Sequence, residues 1–108
     1  MSERLACCAI IGAMLALGAC ASTERSPPDA ATRGEALAAA SCGGCHAIAE
    51  GASPNPDAPA FAALANRPDM SRTALAVLLR TPHRTMPDLI VPADEVDDLA
   101  AYLATLRG

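Results

Sequence analysis

The sequence predicts an all-α domain of about four helices, on three observations. Alternation of apolar and polar residues, the period of a half-buried strand, occurs nowhere along the chain. Apolar residues instead recur at helical spacing, as in Leu75, Leu78 and Leu79 and again in Val96, Leu99, Leu103 and Leu106. Clusters of Pro, Gly, Asn and Asp separate these stretches and supply the turns between short helices. At 108 residues the chain makes one small domain.

Residues 1–19 read as an export signal. Met1-Ser2-Glu3-Arg4 is a short polar start, and Leu5 to Ala19 is an uncharged apolar run too short to span a membrane comfortably. The run ends in Leu17-Gly18-Ala19-Cys20, which resembles a bacterial lipobox, so the expected mature chain begins at an acylated Cys20 that tethers it to a membrane. The competing cut follows Ala21, where Ala19-x-Ala21 meets the small-residue rule. Residues 20–30 are polar, include Pro27 and Pro28, and read as a linker ahead of a domain over residues 31–108.

The first helix starts near Asp29 or Thr32, either of which is a good cap, and runs towards Cys42. Gly34 costs that helix about 1 kcal/mol relative to Ala, which close approach of another helix would explain. Residues 47–58 hold Gly51, Pro54, Asn55, Pro56 and Asp57 and form an irregular loop. Pro59 is expected at the first position of a short second helix ending before Asn66. Ser71 caps a third, from Arg72 to about Arg80, stopped by Thr81-Pro82. The fourth begins around Pro92, with acidic residues at its start, Arg107 at its end, and Tyr102 at the edge of its apolar face.

Small side chains dominate: there is no Trp, one Phe (Phe61) and one Tyr (Tyr102). Such a chain buries little area and is marginal without a staple or a cofactor. Its formal net charge is −4, and every basic residue is Arg, with no cluster interleaved with aromatics. That excludes nucleic-acid binding. The five cysteines leave no pair for a structural disulfide, because Cys7, Cys8 and Cys20 fall in or just after the apolar run.

The other two lie in Cys42-Gly43-Gly44-Cys45-His46. C-x-x-C-H is the attachment signature of a c-type haem. Two thiols within one turn of backbone reach the two vinyl groups of a porphyrin, and the next residue presents its imidazole to the iron. Gly43 and Gly44 leave the approach of backbone to ring unobstructed. A zinc site would need a second Cys or His pair, and only His83 remains downstream. A thioredoxin-like dithiol belongs beside a βαβ pattern, which is absent. A buried porphyrin would supply the apolar body that the composition lacks.

His46 is thus the expected proximal ligand, needing an acceptor for its other ring nitrogen. For the sixth position the candidates are Met70, His83 and Met86. Met86 is favoured, since Pro87 restricts it to extended backbone and so to a strap that presents its thioether. Met70 reads as a packing residue.

Gly34, the Cys42–His46 motif, Ala58-Pro59-Ala60-Phe61, Met86-Pro87 and Asp98-Leu99-Ala100-Ala101-Tyr102-Leu103 together resemble a class I cytochrome c of the small bacterial monohaem kind, over residues 30 to 108. The resemblance implies a fold of about four helices wrapped around one covalently attached haem. It implies that the first and last helices cross, with Gly34 opposite the Tyr102 region. It also implies that the Pro59 carbonyl receives the His46 proton and that Met86 is the distal ligand. The chain departs from the family in having no large aromatic in the first helix, where Leu37 must serve, and no Trp near a propionate.

Six-coordinate iron has no vacant position for a substrate, so the expected function is one-electron transfer in the periplasm between redox partner proteins, and not an enzyme activity. Two alternatives stand beside it: a haem subunit held in an oxidoreductase complex, and a haem sensor or enzyme with an open sixth site. Residues 67–84 carry four arginines against Asp69, whereas 85–98 carry five acids and no base. Such a dipole would orient a carrier at its partner, with Arg80 and Arg84 beside the Met86 strap.

Overall fold

The computed structural model describes residues 28–81 and 85–108. Cys20 with the whole export segment, and His83 and Arg84, lie outside the described residues. Four helices follow in order, α1 (Ala30–Ser41), α2 (Phe61–Ala65), α3 (Arg72–Arg80) and α4 (Ala93–Thr105), and no strand occurs among the described residues.

Asp29 is the cap that α1 uses. Its carboxylate accepts the Thr32 N–H at 2.8 Å, which relieves one unpaired donor of the first turn and holds the Asp29 pKa below its usual value. α1 and α4 form the most extensive helix pair. They cross at Gly34, where an added methyl group would run into the Asp98 carbonyl and come within 2.9 Å of Tyr102 Cβ. Glycine is what lets the two backbones meet. Beside this crossing, the Arg33 guanidinium grips the Asp98 carboxylate through two hydrogen bonds of 2.8 and 2.7 Å.

Ser71 Oγ accepts the Ala74 N–H and starts α3, whose Leu75 is buried and whose Leu78 and Leu79 are half-buried. Arg72, at the start of α3, donates to Asp97 at 2.6 Å and to the Ala93 carbonyl at 3.3 Å, tying α3 to α4. The basic and acidic stretches of the sequence are therefore partly neutralised within the fold, by the Arg72–Asp97, Arg67–Asp69 and Arg33–Asp98 pairs. Ala38, Phe61, Ala65, Met70, Leu75, Val96, Leu99, Tyr102 and Leu103 make one continuous core.

Three expectations are corrected. Pro59 is not the first residue of α2; Ala60 occupies the cap position in extended conformation, and the helix starts at Phe61. The reason is long-range, because Pro59 O and the Phe61 N–H both bond to the segment after the Cys-x-x-Cys turn. Tyr102 lies in the core and not at its edge, which is affordable because its hydroxyl donates to the Ile48 carbonyl at 2.6 Å. Arg107 lies beyond the end of α4, and its guanidinium donates to the Met70 carbonyl at 2.8 Å.

Candidate haem site

The Cys-x-x-Cys turn grows directly out of α1. Cys42 is the C-cap, and the N–H groups of Cys42 and Gly43 both point to the Ala38 carbonyl, at 2.8 and 2.9 Å. Past Gly44, the N–H groups of Cys45 and His46 return to the Cys42 carbonyl at 3.1 and 2.9 Å. One carbonyl thus closes the turn that sets the two thiols and the imidazole on a common arc. The two glycines differ in their reasons. A side chain on Gly43 would stand 2.9 Å from the Ala39 carbonyl, so the helix end itself excludes it, whereas Gly44 faces open space.

Cys42 is half-buried and Cys45 exposed, and neither is in a disulfide. Burial pushes the Cys42 thiol up in pKa and favours its protonated form.

His46 is held by the residues that lead into α2. Its Nδ1 lies 2.7 Å from the Pro59 carbonyl. An acceptor there requires Nδ1 to carry the proton, which leaves the Nε2 lone pair for a metal. The neighbouring backbone is pinned as well: the Phe61 N–H donates to Ala47 O at 2.8 Å, Ser53 Oγ accepts the Ala47 N–H at 3.0 Å, and Ile48 O takes the Tyr102 hydroxyl. The imidazole therefore sits in a frame built by α2, the loop and α4 together.

A cleft of about 280 Å³ opens beside this frame. Cys42, Cys45 and His46 border it, together with Leu64, Met70, Leu75, Leu78 and Leu79, and the Thr85–Leu89 strap contributes Thr85, Met86, Pro87 and Leu89. Pro59 lines it too, so the sequence-singled residues Cys42, Cys45, His46, Pro59, Met70 and Met86 all meet at one place. Met70 is 7% exposed and packs into the core, with its carbonyl held by Arg107. Sequence reasoning missed Arg67, the one cation among the described lining residues. Its guanidinium makes two contacts of 3.4 Å with Asp69, a loose and exposed pair.

A largely apolar cleft bordered by two thiols, one imidazole and two thioethers, one of them on the Thr85–Leu89 strap, fits a covalently held porphyrin. No side-chain nitrogen or oxygen is buried without a partner among the described residues, so the cleft asks for an apolar body and not for a polar ligand.

Comparison with known proteins agrees. The family model described as cytochrome c oxidase, cbb3-type, subunit III matches residues 29–103. Cytochrome c-552 of Bradyrhizobium diazoefficiens is 38% identical over 97 residues, which span 89% of this chain and 93% of that protein. No solved structure matches the chain. The cleft, the turn that borders it and these two relationships place the chain in the cytochrome c family, as a small bacterial c-type cytochrome carrying covalently bound haem c.

Proposed function

We propose that this protein is a one-electron carrier, exported to the periplasm, whose haem c is attached through Cys42 and Cys45 and ligated by His46 Nε2 and the Met86 sulfur. The observation that carries the reading is the His46 Nδ1–Pro59 O pair, which commits one ring nitrogen and leaves the other in the same cleft as Met86. The haem supplies reversible ferric–ferrous exchange. The chain supplies ligands, orientation and an apolar surround. A thioether ligand with apolar burial favours the less charged ferrous state and raises the potential. Pro59 O draws on the His46 proton and makes the imidazole a better donor. Arg67, on the cleft wall, suits a haem propionate, the role for which the sequence offered no Trp.

The test is spectroscopic. Ferric wild-type protein should show the sulfur-to-iron charge-transfer band in the red, and Met86→Ala should lose it while keeping covalent haem. Reduced wild-type protein should not bind carbon monoxide, whereas Met86→Ala should. Rapid carbon monoxide binding by the wild type would favour the open-site alternative.

A second reading is favoured by one observation, the match to a family model described as an oxidase subunit. In it the haem domain is a fixed member of an oxidoreductase complex. Co-purification from membranes at constant stoichiometry would decide for that role. Anchoring through an acylated Cys20 is our further proposal for location, and mass spectrometry of the mature amino terminus tests it; an unmodified start at Ser22 would sink it.

A further inference from the structure

Phe61, the chain's one phenylalanine, is 7% exposed and meets His46 edge-on. The ring centroids are 5.6 Å apart and the planes lie at 64°. Its place is fixed independently of the imidazole. Its N–H donates to Ala47 O at 2.8 Å, and its ring packs 6.4 Å from that of Tyr102, whose hydroxyl is tied to Ile48 O. The Pro59 carbonyl, by contrast, holds the imidazole at a single atom. A carbonyl accepts over a broad range of directions, so one such bond leaves the ring free to turn about the N–H···O line. A rigid aromatic edge set against the imidazole removes that freedom.

We propose that Phe61 is a positioning residue for His46 and sets the angle of the imidazole plane about the axis on which it meets the iron. The proposal rests on His46 being an iron ligand. In low-spin ferric haem the direction of the ligand plane decides which porphyrin substituents carry unpaired spin. The order of the shifted haem methyl proton resonances therefore reports that angle.

The experiment compares ferric holoprotein of wild type, Phe61→Leu, Phe61→Met, Phe61→Tyr and Leu99→Val by proton magnetic resonance. Leu and Met fill the space without a plane, and Met, the more adaptable of the two, serves should Phe61→Leu fail to mature. Both should keep covalent haem and helical circular dichroism and reorder the methyl resonances, with an accompanying shift in reduction potential. Phe61→Tyr, which retains the ring, should keep the wild-type order. So should Leu99→Val, which thins the core away from the cleft and lowers stability alone. An unchanged order in Phe61→Leu or Phe61→Met, or an equal change in Leu99→Val, overturns the positioning role. A wild-type ferric spectrum that is high-spin would overturn the ligation reading, and with it this one; an unchanged methyl order in low-spin variants overturns this one alone.

Discussion

Gly34 touches the backbone of Asp98, sixty-four positions away in sequence, so closely that no other residue fits between them. The obstacle is the Asp98 carbonyl and not the tip of a flexible side chain, so neither helix can yield cheaply. Alanine is the better helix former, by about 1 kcal/mol. Gly34→Ala should nevertheless lose on balance. We expect it to lower unfolding free energy by about 2 kcal/mol or more, as overpacking does when backbone must shift. Denaturant titration of holoprotein measures it, and a neutral or stabilising result would contradict the tight crossing.

Tyr102→Phe removes the hydroxyl that donates to Ile48 O and leaves that carbonyl unpaired by the side chain. A loss of about 1–2 kcal/mol follows. Burial, followed by the nearby Glu35 charge, raises the Tyr102 pKa above 10.0. The fold therefore prefers the neutral phenol. Its contribution is fully present below the unfolded pKa and is lost as pH rises through the folded one. Wild-type stability should fall above about pH 10, by a component that Tyr102→Phe lacks.

The Asp98 pKa is lowered, first by its hydrogen bond from Arg33. A carboxylate stabilised in this way contributes above its unfolded pKa, near 3.8, and loses the contribution as pH falls through the folded value. Acid titrations of wild type and Asp98→Asn should therefore converge as pH drops below about 4. Curves that stay parallel through this range would show the pair to be without effect on stability.

Arg67→Gln should lower the reduction potential, because a cation at the cleft wall disfavours the more positive ferric state. Spectroelectrochemical titration at low and high salt measures it. The difference from wild type should shrink as salt rises, since Arg67 is exposed. An unchanged potential at low salt would remove Arg67 from the haem environment.

Haem-free chain should be largely unfolded, because a small chain rich in alanine buries little area and the apolar cleft walls would face water without an apolar body between them. Far-ultraviolet circular dichroism of protein made without haem attachment tests this. A cooperative, native-like melt would count against it.

Local signals carried most of the helix assignment. Ser71 and the leucine spacing that follows it delimit α3, and Pro92 with its acidic successors opens α4. The Cys42–His46 turn was legible for the same reason, since its chemistry depends on residues adjacent in sequence. What escaped depends on partners far along the chain. Pro59 suggested a helix start by its own preference, but bonds to His46 and Ala47 hold the backbone extended there and delay α2 by two residues. Tyr102 looked marginal until Ile48 supplied an acceptor for its hydroxyl. Arg67 lies between two helices with no spacing to mark it, and only the folded chain brings it to the cleft.

The α1–α4 crossing also imposes an order on assembly. The turn bearing both thiols is rooted in α1, and the principal surface against which α1 rests is α4, more than fifty residues further along the chain. Without α4 docked, α1 lacks its main packing partner and the cysteines hang from an unsupported stem. The thiol-bearing stem and the distant helix are thereby coupled, so that docking of α4 is what seats the cysteines.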